Sequence, residues 1–244
     1  MVLEAPVYTV EAALLAEQFG IHRIELCSDF GEGGETPSVG NLSFLKEKIQ
    51  IPIFVMIRPR GGDFVYTPEE LEVMQRDIQI LKSYGADGFV FGVLDQQGHV
   101  DREACKVLID AAEGSPCTFH RAFDICRNKE DAIETLISLG FKRILTSGGE
   151  NTVTAGLSNI LNFLKQAAGR IIIMPGGGLK VEHLGPLKAS GELREIHASC
   201  KSFRPTISKY AHPSVQLSPD KQAFQQVLSI DKRQVEAFLK QMVL

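Results

Sequence analysis

Four times along this chain a glycine closes a helical pattern and leads within a few residues into a short apolar run: "FGIHRIELC", "YGADGFVFG", "LGFKRILTS" and "SGELREIHA". Glycine enters the left-handed conformation that ends helices without steric cost, so Gly20, Gly85, Gly140 and Gly191 mark helix-to-strand junctions. Each interval between them has room for one more strand, and the sequence supplies "IPIFVMI", "CTFH" and "RIIIMP"; "LEAPV" at the start brings the number to eight. The segments between read as helices. In "TPEELEVMQRDIQILKSY" the helix start is written chemically, because Thr67 can cap, Pro68 suits the first helical position and Glu70 completes a capping box. Strict alternation of helices with short apolar strands implies a parallel sheet. Eight such units close most economically as a (β/α)8 TIM barrel, with a doubly wound open sheet as the alternative.

The chain has 244 residues, and barrels of this kind use about 250 as one domain, so a single α/β domain over residues 1–244 is expected. Within it, residues 201–230 read as irregular and a last helix falls at about 231–242. With 44% hydrophobic residues there is ample material for a core. The net charge is −4 and the basic residues are scattered, which leaves no footprint for nucleic acid. The start of the chain has no basic region, and Glu4, Glu11 and Glu17 break its apolar residues, so no signal peptide is expected. No apolar run approaches the roughly 20 residues of a spanning helix, and a cytoplasmic location follows. The five cysteines include no C-x-x-C pair, which reads as reduced thiols.

Strand side chains alternate, so one parity packs on the helices and the other fills the barrel. In "RIELC", Ile24 and Leu26 suit the helix layer and turn Glu25 and Cys27 inward; in "EIHAS", Glu195, His197 and Ser199 go inside. "IFVMIR" sends Met56 and Arg58 in, "CTFH" sends Thr118 and His120 in, and Glu4 fits the same side. Five strands thereby aim Glu4, Glu25, Arg58, His120 and His197 at one interior, mostly at the C-terminal ends where barrel enzymes keep their sites. Burying a lone charge is costly, so such a group must be mutually paired, metal-bound or arranged for a ligand. Arg121 and Asp124 fall in the rim loop just beyond His120.

Two glycine-rich stretches sit in matching places, "TSGGEN" after strand six and "PGGG" after strand seven. Ser147, Gly148 and Gly149 in the first, and Gly176, Gly177 and Gly178 in the second, either bring amides to an anion or permit tight turns. The loops "SDFGEGGETPSVG" and "RPRGGDFVYTPEE" are longer than a barrel requires and could fold over the mouth, with Arg60 and Asp63 as lid contacts unless they pair with one another. Asp95 in "FGVLDQQG" either enters the site or braces a turn.

Together "RIELC" with "EGGETPS", "IRPRGGDF", "FGVLD", "TFHRAFD", "LTSGG" and "MPGGG" closely resemble the CutC copper homeostasis protein family, over residues 1 to about 204. The resemblance implies a TIM barrel, a cytoplasmic homo-oligomer (dimer or tetramer) and copper handling. It also implies Cys27 as a copper(I) ligand, since Cys27 stands where the family motif has its cysteine after Glu-Leu. The family's other cysteine falls at Pro6, and "HASC" adds an unusual thiol, Cys200, near the mouth. Copper(I) prefers two or more soft ligands, which Cys27 with Cys200 or Met56 could supply.

Two functions remain open on these residues. One is a copper(I)-binding homeostasis protein using Cys27. The other is a barrel enzyme acting on a small anionic or phosphorylated substrate, in which His120 or His197 exchanges a proton and Glu25 or Glu4 acts as base or orients a histidine. Arg58, Arg121, Asp124, Asp95, Ser199 and the glycine-rich loops would hold the substrate. No lysine occupies an inward strand end, which disfavours Schiff-base chemistry.

Overall fold

The computed structural model describes residues 1–212, 214–215, 218 and 222–243. Its parallel strands are β1 (Val2–Val7), β2 (Arg23–Leu26), β3 (Ile53–Met56), β4 (Gly88–Phe91), β5 (Cys117–Phe119), β6 (Arg143–Thr146), β7 (Ile172–Pro175) and β8 (Glu195–His197). Between them run α1 (Val10–Phe19), α2 (Val39–Lys46), α3 (Pro68–Ser83), α4 (Arg102–Ala111), α5 (Lys129–Leu139), α6 (Val153–Ala167) and α7 (Leu184–Ala189). Hydrogen bonding joins the strands in the order β7-β6-β5-β4-β3-β2-β1-β8, and β7 packs beside β8 across the remaining seam. This is the nearly closed (β/α)8 barrel that the alternation implies. No helix among the described residues is long and apolar enough to cross a membrane.

The local chemistry read from the sequence is present. The Thr67 hydroxyl accepts from the Glu70 amide, the Glu70 carboxylate accepts from the Thr67 amide at 2.8 Å, and Pro68 opens α3. Gly20 and Gly140 end α1 and α5 at φ 94° and 89°. Along β1 to β3, Leu3, Ala5, Val7, Ile24, Leu26, Ile53 and Val55 are buried against the helices, which leaves the opposite parity for the barrel interior. There Phe54 takes up much of the space: a methyl group on Gly88, its neighbour in register, would lie 2.6 Å from the Phe54 ring.

Two segments differ from the sequence expectation. Within residues 201–230, β9 (Lys201–Pro205) and β10 (Gln226–Ile230) form an antiparallel hairpin. Its residues alternate between exposed and half-buried along β9, so no apolar run announces it. Tertiary bonds tie it down: Thr9 donates to the Leu228 carbonyl at 3.2 Å, and Arg204 grips Glu11. The chain then turns into α8 (Lys232–Val243), close to the expected last helix. The second difference is at Arg121–Ile125, expected as a rim loop, which forms a 3-10 turn capped by His120.

Glycine contacts generate a paired test. In α6, a methyl group on Gly156 would lie 2.0 Å from the Ser147 carbonyl oxygen, whereas Gly185 in α7 faces open space. We expect Gly156→Ala to lower the unfolding free energy by about 3 kcal/mol, and Gly185→Ala to raise it by about 0.5 kcal/mol. Denaturant midpoints of the two variants check both signs.

Candidate functional site

The barrel floor is ionic. Arg23 bridges Glu4 and Glu195, and Arg143 meets Glu195 at 3.0 Å and donates to the Thr118 hydroxyl at 3.1 Å. Both guanidinium groups stack on Phe54, 4.6 and 4.8 Å from its ring centroid. The pairing satisfies charges that would otherwise be prohibitively costly to bury. Arg23 and Arg143 were not singled out from the sequence, although the parity that turns Glu25 inward applies equally to Arg23, two residues earlier.

Above this floor His197 stands between two carboxylates, with Nδ1 2.9 Å from Glu4 Oε1 and Nε2 3.7 Å from Glu25 Oε2. Burial opposes ionisation of Glu4, but the His197 hydrogen bond and the Arg23 charge outweigh it and hold its pKa at about 2. Burial also opposes the charged form of His197, yet the hydrogen bond to Glu4 and the charges of Glu25 and Glu4 raise its pKa. Glu25 has no comparable compensation. Burial, helped by the Glu4 charge and opposed by His197 and Arg23, pushes it up to about 7.

His120 is fixed in the opposite sense. Its Nδ1 accepts from the Ala122 amide at 3.2 Å, which places the proton of the neutral ring on Nε2. Burial, and then the Arg58 charge, hold its pKa down at about 3. Gly92 makes room for the ring, since a methyl group there would lie 2.7 Å from His120 Nδ1; sequence reasoning passed over this glycine at the end of β4.

A cavity of about 430 Å³ opens at the C-terminal ends of the strands. Of the residues singled out from the sequence, Glu25, Met56, Arg58, His120, Arg121, Gly177, Gly178, His197 and Ser199 line it, joined by Tyr8, Phe30, Phe64 and Lys201. Among the described residues, four buried side-chain polar atoms have no hydrogen-bond partner: Glu25 Oε1, His120 Nε2, Arg58 Nε and the Tyr66 hydroxyl. Three of the four belong to residues of the cavity wall. Buried polar atoms are almost always paired in a folded chain, so three unpaired ones around a single cavity are unusual.

Several expected site residues have other work. Glu4 is fully buried beneath the cavity and positions His197 and Arg23. Arg58 donates to the carbonyls of Glu32, Gly34 and Gly62, so it ties the two long loops together instead of presenting its fork to an anion. Arg60 pairs with Asp63 and Glu70 at the start of α3. Asp95 does not reach the cavity; its carboxylate accepts from the Gln97 and His99 amides within its own turn. Asp124 is also not free for substrate. It accepts from Thr146 Oγ1, from the amides of Ser147 and Gly149, from Ser147 Oγ and from Arg121 Nε. The Gly148 amide donates to Thr146 Oγ1, so the amides of Ser147, Gly148 and Gly149 are all spent on Asp124 and Thr146. Gly176 packs at the seam, where a methyl group would lie 2.9 Å from His197 Cβ.

The sulfur donors are poorly disposed toward copper(I). Cys27 is buried, its thiol lies 3.8 Å from the Glu25 carbonyl, and burial followed by the Glu25 and Glu4 charges pushes its pKa well up. Cys200 packs into the helix-side core, and Pro6 lines the cavity where the resemblance places the second cysteine. No group of three or more His, Cys, Asp or Glu side chains among the described residues is disposed to hold a metal.

The Glu25 shift has a defined sign in stability. A carboxyl whose pKa rises on folding stabilises fully below its unfolded value and loses that contribution as pH climbs through the folded value. Against Glu25→Gln, the parent chain should lose stability from pH 4.5 to about 7, at up to about 1.4 kcal/mol per pH unit. His120 acts oppositely, because its pKa falls on folding: its contribution fades from pH 6.5 down to about 3. Denaturant unfolding of the parent, Glu25→Gln and His120→Phe across this range checks both signs.

Residues 1–202 match the CutC family. The copper homeostasis protein cutC homolog of Homo sapiens is 48% identical over 213 residues, spanning 87% of this chain and 78% of the relative. A family protein CutC of Xylella fastidiosa is 41% identical over 87% of this chain and 80% of its own length. Among solved structures, the putative copper homeostasis protein CutC of Streptococcus agalactiae superposes with a TM-score of 0.76 at 34% identity, covering 82% of this chain and 98% of that one. The aldolase QR15, at 16% identity and a TM-score of 0.60 over 82% of this chain and 89% of its own, shares the fold alone. The family match, the relatives and the barrel agree: this chain belongs to the CutC family.

Proposed function

We propose that this chain is a barrel enzyme that exchanges a proton with a small anionic carbonyl substrate, with Glu25 as the base and His120 as a neutral hydrogen-bond donor. The observation that carries this reading is the pair of unpartnered atoms, Glu25 Oε1 and His120 Nε2, on two walls of one cavity. A carboxyl with a pKa of about 7 is poised to take and return a proton near neutrality. The neutral His120 ring donates Nε2–H to a carbonyl oxygen as negative charge develops there. In the reaction, a C–H proton beside the carbonyl passes to Glu25 Oε1 while its electron pair moves toward the carbonyl oxygen; Glu25 then returns the proton to carbon. His197, held by Glu4, is a positioning residue that favours the ionised form of Glu25. Arg121 and Lys201 supply positive charge at the mouth. Lys201 lies over the Phe30 ring at 4.8 Å, outside the eight barrel strands, which again favours acid–base over Schiff-base chemistry. A cytoplasmic setting with five reduced thiols and a homo-oligomeric assembly belong to the same reading.

The test is deuterium exchange in heavy water, followed by proton NMR, across small carboxylated and phosphorylated aldehydes and ketones. The parent chain should exchange the proton beside the carbonyl, and Glu25→Gln and His120→Phe should each slow exchange about 10²- to 10⁴-fold. No exchange across the panel by the folded parent overturns the reading.

The relatives' name favours a second reading, copper(I) carried as cargo at Cys27. Its structural support is that a methyl group on Gly34 would meet both Cys27 Sγ at 3.3 Å and Met56 Cε at 3.5 Å, so two sulfur side chains flank one glycine. This reading requires stoichiometric copper(I) binding under reducing conditions that Cys27→Ser abolishes; unchanged binding in that variant removes it.

A further inference from the structure

We propose that Gly177, Gly178 and Arg121 form a phosphate site, so that the substrate of this cavity is a phosphate monoester whose carbonyl end reaches Glu25 and His120. The second half of that statement rests on the acid–base reading, and the phosphate site itself does not.

The argument begins with Arg121. Nε donates to Asp124 at 2.7 Å, and Nη2 donates to Ser147 Oγ at 2.6 Å and to the Glu150 carbonyl at 3.2 Å. These bonds fix the guanidinium on one edge and leave Nη1 without a partner among the described residues. The group lies against Gly177: a methyl group there would be 3.0 Å from Arg121 Cζ and 3.1 Å from Nη1. A side chain at this position would crowd the guanidinium, and the φ of 88° there independently favours glycine.

The glycine turn supplies the remaining donors. Gly177 and Gly178 have φ of 88° and 74°, and the Gly177 carbonyl accepts from the Val153 amide at 2.8 Å. No peptide bond among the described residues is cis, so the Gly178 N–H, in the same peptide unit as that carbonyl, points the opposite way. Neither the Gly177 nor the Gly178 amide donates to any group among the described residues, and both glycines line the cavity. Successive free amides in a turn form a concavity for anions, and a pre-oriented guanidinium beside it adds charge-assisted donors. Lys201, on the wall of the same cavity, adds a second positive charge. A tetrahedral anion with three free oxygens uses donors arriving from backbone and side chain together, which a flat carboxylate fills less completely. The spent amides of the loop after β6 leave this turn after β7 as the anion cradle.

The experiment uses the full chain and three probes: inorganic phosphate, 2-phosphoglycolate and glycolate. Amide NMR spectra of the parent chain are titrated with phosphate, and affinities are measured by calorimetry. Saturable shifts of the Gly177 and Gly178 amides are expected, with phosphoglycolate bound at least about tenfold tighter than phosphate or glycolate. Arg121→Gln should weaken phosphate and phosphoglycolate about tenfold or more while leaving glycolate unchanged, and Lys201→Met should weaken them in the same direction. Because Arg121 also braces its own loop, the unmodified chain's amide map carries the decision. Phosphate that fails to shift those two amides, or glycolate that binds as tightly as phosphoglycolate, overturns the phosphate site. His120→Phe separates the two ideas: it should reduce the advantage of phosphoglycolate over phosphate without changing phosphate itself. Unaltered phosphoglycolate binding in that variant counts against the acid–base reading and leaves the phosphate site standing.

Discussion

Glu4 accepts from Arg23 on one side and from His197 on the other, and this doubly held carboxylate is the contact on which the rest of the interior depends. It lets an arginine be buried at the barrel floor, where Glu195 and Arg143 complete the charge balance around Phe54. It also fixes the His197 ring so that its far nitrogen faces Glu25. Removing one member of such a set leaves an uncompensated buried charge, typically costing about 3–5 kcal/mol. The same set of pairings explains why two carboxyls on adjacent strands behave differently: Glu4 is compensated on both sides, whereas Glu25 is compensated weakly and keeps one oxygen free.

The alternation of strand side chains made most of this legible in the sequence. It aimed Glu25, His120 and His197 at one interior because their neighbours Ile24, Phe119 and Ile196 could only belong to the helix layer. The same rule reached Arg23, but an arginine at the first residue of a strand reads equally well as a rim charge until its partner Glu195 is known. Asp124 was harder. Its five donors lie 3 to 25 residues away and two of them are backbone amides, and hydrophobic period carries no trace of such bonds. The hairpin of β9 and β10 escaped for a related reason: its position is fixed by contacts at the start of α1, and β9 contains no buried residue.

The loops divide the labour at the mouth. Arg58 laces the loop after β2 to the loop after β3 through three carbonyls, and its guanidinium also lies 5.0 Å from the Phe64 ring centroid, beside His120. One side of the cavity is therefore held by a cation bonded to backbone. The other side is held by an anion bonded to backbone, Asp124, with Arg121 as its outward-facing partner. Glu25, on β2, and His120, just beyond the end of β5, both line the cavity that these two braces flank.

For anyone wishing to retune this pocket, the Asp124 knot sets the rules of modular exchange. Because one carboxylate fastens segments that follow β5 and β6, those two loops form a single replaceable part and would have to be transplanted together. The turn after β7 is attached to that part mainly through the Gly177 carbonyl and the Arg121 contact. Its glycines pack against His197, Arg121 and Thr152, so variation in this turn has to begin beyond them, at Leu179 on the cavity wall, while the knot beneath keeps its shape.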